Sequence, residues 1–204
     1  MSVLKEASLL DRLKSIVSGN RVDQERKMSV DWLKAQLQNF APYSIKKQAE
    51  TVIADKRYEA ANAYRPGNMY MFKYSAKHKD TLPFWDMFPL SILIDLDAKG
   101  MLGMNVHYLP PALRARFFDA LPETLNTKDV INERSRMVIT YNLLKASAKY
   151  KYFKPCIKRY LIPHIQSRVI KVPPSEWFRT LFIRSAEWQN AGEATVYKWS
   201  RSQI

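Results

Sequence analysis

Along the first third of the chain, apolar residues recur at spacings of three and four. Leu9, Leu10, Leu13, Ile16 and Val17 share one face of a helix predicted over about 3–18, and Gly19-Asn20 supplies its stop. Ser29 is placed to cap a second helix whose face carries Trp32, Leu33, Leu37 and Phe40 and which ends near Ala41-Pro42. A third is predicted from Ser44 to about Arg57. It is amphipathic, with Lys46, Lys47, Gln48 and Glu50 outside and Ile45, Ala49, Val52 and Ile53 to bury.

The period changes at Pro66-Gly67. Short apolar or alternating runs follow at Met69–Tyr74, Leu90–Ile94 and Leu102–Val106, separated by turn material at Ser75–Thr81 and Asp95–Gly100. They predict three or four antiparallel strands. Ser91-Ile92-Leu93-Ile94 is nearly continuous in hydrophobicity, as a strand buried on both faces is, and marks the centre. Beyond Pro110-Pro111 the helical period returns. A short helix carries Leu113, Phe117, Phe118 and Leu121, and a longer one over about 130–150 sets Met137, Tyr141, Leu144 and Ala148 on one stripe and Arg134, Lys145 and Lys149 on another. A short helix is predicted over about Cys156–Leu161, a strand over Arg168–Val172 and a helix from Glu176 to about Ala186, with an extended tail from Thr195.

The fold class is therefore α+β: a small central antiparallel sheet or barrel over about 66–109, flanked by N-terminal helices and by a helical, basic C-terminal region. Residues 1–65 form a helical arm and 66–204 the core domain. With 204 residues, 47% hydrophobic and only 5 Gly, the chain can bury a core. No apolar run reaches the length of a bilayer span, no signal-peptide pattern opens the chain, and a soluble protein with no membrane partner is expected. A single cysteine, Cys156, permits no internal disulfide, and no Cys/His cluster points to a metal.

Charge changes the picture. The net charge is +14, yet residues 1–65 carry only +4 of it and residues 66–126 none, which leaves +10 for residues 127–204. Between Arg134 and Ser175 there are ten Lys or Arg and no Asp or Glu. Segregation of that kind points to a polyanion partner. Arg134, Lys145, Lys149, Lys151, Lys154, Lys158, Arg159, Arg168 and Lys171 are the candidate DNA-binding residues, several at i, i+4 spacings that reach successive phosphates. Tyr150, Tyr152 and Phe153, interleaved with them, are candidates for stacking on unpaired bases, the alternative being that they anchor the segment to the core.

The catalytic inventory is poor. His78, His107 and His164 have no triad or elbow context, and Gly100-Met101-Leu102-Gly103 is not a phosphate loop. No catalytic residue and no cofactor are assigned. His107 and Cys156 are read as structural. One weak pattern resembles a metal-dependent nuclease: Asp86, then Asp97 and Lys99 after a hydrophobic strand, for which the competing reading is an ordinary turn at Asp97-Ala98-Lys99-Gly100.

The segments Pro66–Tyr74, Leu82–Leu90 and Leu102–Pro110, with Arg114, Leu121, Phe153–Leu161 and Ser175-Glu176-Trp177, resemble the DNA end protector or head-completion proteins of T-even-type contractile-tailed phages. The resemblance covers about 66–188. It implies a non-enzymatic virion protein, present in the host cytoplasm during assembly and entry, that binds the ends of packaged DNA without sequence preference. It implies protection of those ends from host exonuclease, a part in head completion, other phage head or neck proteins as partners, and an oligomeric assembly in the virion. The alternative is a structural head, neck or tail subunit whose basic surface meets acidic virion proteins.

Overall fold

The computed structural model describes residues 44–56, 58–110, 114, 151–173, 177 and 186–203, with the backbone alone at 151 and 152. The first element is helix α1, Ile45–Ala54, which begins where the sequence predicts because the Ser44 Oγ accepts a hydrogen bond from Lys47 N at 3.2 Å. Ala49 and Ile53, one turn apart, are its buried residues. The other two N-terminal helices lie outside the described residues.

Five strands form the main sheet: β1 (Met69–Met71), β3 (Leu90–Asp97), β4 (Gly100–Asn105), β5 (Ile157–Tyr160) and β6 (Ile170–Val172). Their order is β5-β4-β3-β1-β6, and every pairing is antiparallel. β3 is the middle strand, and Leu90 to Ile94 are buried without a break, because both faces of the sheet are covered. One face packs Met69, Met71, Ile92, Met104, Ile170 and Val172 against α1 and the C-terminal part of the chain. The other packs Tyr70, Phe72, Tyr74, Leu93, Met101 and Tyr160. Among the described residues the sheet is open: β5 and β6 are its two edges and do not pair with each other, the sheet and not the barrel of the two alternatives.

A second sheet has two strands, β2 (Trp85–Asp86) and β7 (Trp188–Gln189). Three 3₁₀ turns, Val106–Tyr108, Lys151–Cys156 and Ile162–His164, and a final helix α2, Glu193–Ser202, complete the described elements.

Three expectations need correction. The sheet is not confined to 66–109: β5 and β6 come from the segment read as the basic C-terminal region. The predicted helix over Cys156–Leu161 is strand β5. Ile157 and Tyr160 have helical spacing in the sequence, but the backbone satisfies its hydrogen bonds on β4, with Met104↔Ile157 and Met101↔Tyr160 in register. The tail from Thr195 is helical because Val196, Tyr197 and Ser200 make a face that buries. The helices predicted after Pro110 and from Glu176, together with most of the long basic one, fall outside the described residues.

Candidate nucleic-acid interface

The positions of the described cations follow from β-strand geometry. Successive residues of β5 point to opposite faces, so Lys158, opposite Gly103, and Arg159, opposite Leu102, diverge. Arg159 is exposed, and its Nη1 donates to the Asp97 Oδ2 at 2.5 Å. That guanidinium, with the Lys99 and Gly100 N–H groups, holds the Asp97 carboxyl below its ordinary range. Lys154 is exposed on the 3₁₀ turn that leads into β5. At the other edge, Arg168 donates from Nε to the Ile53 carbonyl and from Nη2 to the Asp55 carbonyl, both at 2.5 Å, and so ties off the end of α1. Lys171 sits on β6 opposite Tyr70, where its N–H donates to the Glu59 carbonyl at 3.0 Å.

The described cations of the acid-free run are thus divided between two edges of the sheet. Lys154, Lys158 and Arg159 lie at the β5 edge and Arg168 and Lys171 at the β6 edge, four inter-strand spacings or roughly 19 Å apart. Arg134, Lys145, Lys149 and Tyr150 lie outside the described residues, as do the side chains of Lys151 and Tyr152. Phe153 is 2% exposed and belongs to the core. It cannot stack on a base, which corrects that assignment in favour of the core-anchor alternative.

Lys158 has a setting that the sequence did not disclose. Its Nζ lies 4.1 Å from the centroid of the Tyr108 ring and 5.3 Å from that of Trp199. Burial pulls its pKa down from 10.5 to about 8, while the nearby Cys156 pulls the other way. The rings around it are packed edge to face. Tyr108 meets Trp188 at 4.8 Å, and Phe84 meets Trp199 at 5.1 Å and Trp188 at 6.2 Å. Neither ring is legible as a partner of Lys158 in the sequence: Tyr108 lies fifty residues before it, and Trp199 falls in a tail that the sequence predicts to be extended.

A buried polar network holds Tyr108 in place. The Asp86 Oδ2 is 2.7 Å from the His107 Nδ1 and accepts from the Asn105 Nδ2 at 2.9 Å, while its Oδ1 accepts from Phe88 N at 3.0 Å. Asn105 Nδ2 also donates to the Tyr160 hydroxyl, and Arg114 donates to the carbonyls of Val106, His107 and Leu109 and to the Tyr197 hydroxyl. Arg114 thereby fastens the Val106–Tyr108 turn to α2. Burial lowers the His107 pKa despite the opposing Asp86 charge, and pushes the Cys156 thiol up to about 12. A thiol so placed is a poor nucleophile.

The same network separates the nuclease-like residues. Asp86 touches Asn105, whose Cα partner is Ser91, whereas Asp97 pairs with Gly100 at the opposite end of the β3–β4 ladder. Ser91 and Asp97 are six residue steps of strand apart, roughly 20 Å. Asp97 instead accepts from the N–H groups of Lys99 and Gly100 at 2.8 and 3.0 Å, the bonding of a turn. Asp86, Asp97 and Lys99 do not converge.

The family model described as phage T4 terminal DNA protecting protein matches residues 5–201. The chain belongs to this family. No curated protein matches the chain, and no solved structure does. The match to the terminal DNA protecting family takes in the N-terminal arm, which the sequence resemblance over 66–188 did not reach. It assigns the chain to phage DNA end-protecting proteins and hence to virion and host cell. Among the described residues no helix is long and apolar enough to cross a membrane.

Proposed function

We propose that the chain covers the ends of packaged phage DNA without reading sequence and protects them by occlusion. A protein seated on a terminus denies an exonuclease its entry point, so affinity and position suffice and no chemistry is required. The observation that carries this is the segregated charge of a chain in this family: +10 of the net +14 falls in residues 127–204, including the ten cations of the acid-free run. Lys154 is exposed on the 3₁₀ turn that leads into β5, and Lys158 and Arg159 follow it on that strand. Arg134, Lys145, Lys149 and Lys151 are proposed to extend this surface. Arg168 acts on the backbone of α1 and is set apart from the phosphate contacts. A role in head completion, head or neck proteins as neighbours, and an oligomeric assembly are part of the proposal.

The test is exonuclease digestion of a linear duplex with and without the protein. Digestion is expected to stop at low salt and resume as salt rises, since each phosphate neutralised releases counterions. Binding to acidic virion proteins with no protection of DNA at any salt would support the structural-subunit alternative instead.

A further inference from the structure

We propose that Lys158 and the rings of Tyr108 and Trp199 form a receptor for the terminal phosphate of a DNA end. This rests on the end-protecting function and supplies what a basic surface alone lacks, a means of preferring ends.

Three observations converge. First, the Lys158 ammonium has aromatic faces as neighbours, at 4.1 and 5.3 Å, and no carboxylate among the described residues pairs with it. A cation held this far from water without an acid is costly unless an anion completes it. Second, the same ring cluster contains an unpaired donor: the Trp188 Nε1 is buried with no acceptor among the described residues, and Trp188 stacks edge-on against Tyr108. Buried donors in native structures are nearly always satisfied, so an orphan on a ring that packs against Tyr108, the ring under the acid-free cation, is consistent with an anion as the missing partner. Third, the position is built. Tyr108 is fixed by the turn that Asp86, Asn105 and Arg114 bind, Trp199 by α2, and Lys158 by the register of β5 against Gly103, so little ordering remains when a ligand enters. Lys158 and Trp199 keep partial exposure, which leaves the site an opening.

The chemistry that fits is a phosphomonoester. An internal phosphodiester is esterified on both sides and presents its oxygens on the outside of a continuous strand. A terminal phosphate has one ester arm, carries a charge of about −1.5 to −2 at neutral pH and can enter a recess end-on. Lys158 supplies the point charge and donors that such a group takes. Lys154, four residues earlier, is exposed and adds a second cation to the same turn and strand.

The experiment compares one blunt duplex bearing 5′-phosphate, 3′-phosphate or only hydroxyl ends, titrated with the full chain and digested with exonuclease in parallel. One phosphorylated form is expected to bind about tenfold or more tightly than the hydroxyl form. Lys158→Met, which keeps the aliphatic stem, is expected to abolish the difference by weakening the phosphorylated form far more than the hydroxyl form, which loses no more than one ordinary phosphate contact, and Lys158→Arg to retain part of the difference. Equal affinity of the wild-type chain for all three duplexes, with all three protected, overturns the receptor and leaves end protection standing; this arm needs no variant. A folded Lys158→Met chain that still prefers phosphate also overturns it. Protection of none of the duplexes overturns the end-protecting function and the receptor together.

Discussion

At the scale of single residues, Lys158 is a largely buried cation that faces two aromatic rings and pairs with no carboxylate among the described residues. The Lys158 pKa falls from 10.5 to about 8, so the unfolded chain binds a proton more tightly than the folded one. Stability should therefore rise with pH between about 8 and 10.5, the window in which the unfolded lysine is charged and the folded one is not. Lys158→Met should remove that slope and raise the unfolding free energy at pH 7 by about 1–2 kcal/mol, the relieved burial of charge outweighing the lost ring contacts. Thermal unfolding across this pH range measures both, and a marked loss of stability at pH 7 would mean that Lys158 is chiefly a structural anchor. Asp86 is the contrasting case. It bonds Phe88 N, Asn105 and His107 in the core, so Asp86→Ala strands three partners and is expected to destabilise the chain by about 3 kcal/mol or more, read by denaturant unfolding. His107 was legible as a structural histidine, but its acid was not. Asp86 lies twenty-one residues away and reaches His107 only through the folded turn at Val106–Tyr108.

At the scale of elements, the sequence disclosed what local chemistry determines and missed what partners determine. Ser44 caps α1 through its own hydroxyl, and β3 declares itself by an unbroken apolar run; neither needs a distant residue to be recognised. β5 and α2 do. The segment Ile157–Tyr160 is a strand because the β4 edge is there to receive it, and a ten-residue helix such as Glu193–Ser202 is marginal alone, forming where Val196 and Tyr197 find a core. Trp199 and Lys158 sit on these two misread elements, which is why their meeting was invisible. The β4–β5 fit can be tested at Gly100, whose φ is +153° and whose added Cβ would come within 2.2 Å of the Tyr160 carbonyl oxygen. A backbone neighbour cannot swing aside, so Gly100→Ala is expected to cost about 2 kcal/mol or more in stability. It should also loosen the edge strand that carries Lys158 and Arg159, seen as faster amide exchange in residues 157–160. Unchanged stability and exchange would show that the edge tolerates a shift at this point.

At the scale of the whole molecule, a five-stranded sheet separates the described cations of the run that the sequence places together. Part of the net charge is spent on structure: Arg168 on the end of α1, and Arg159 on Asp97. The surface proposed for DNA is therefore the β5 edge and its continuation, and the β6 edge should contribute little. Lys154→Glu is expected to weaken binding to linear duplex severalfold and to flatten its salt dependence by about one phosphate contact, whereas Lys171→Glu should change either by much less. Equal losses from the two, measured as affinity across a salt series, would restore the single wide face that the sequence suggests. End protection, however, turns on ends and not on phosphates in general. Its most direct measurement is a competition between a linear duplex and a covalently closed circle of the same sequence for limiting protein at moderate salt. The linear form is expected to be retained at a protein concentration where the circle, equal in internal phosphates, is free; equal retention of the two would contradict end binding.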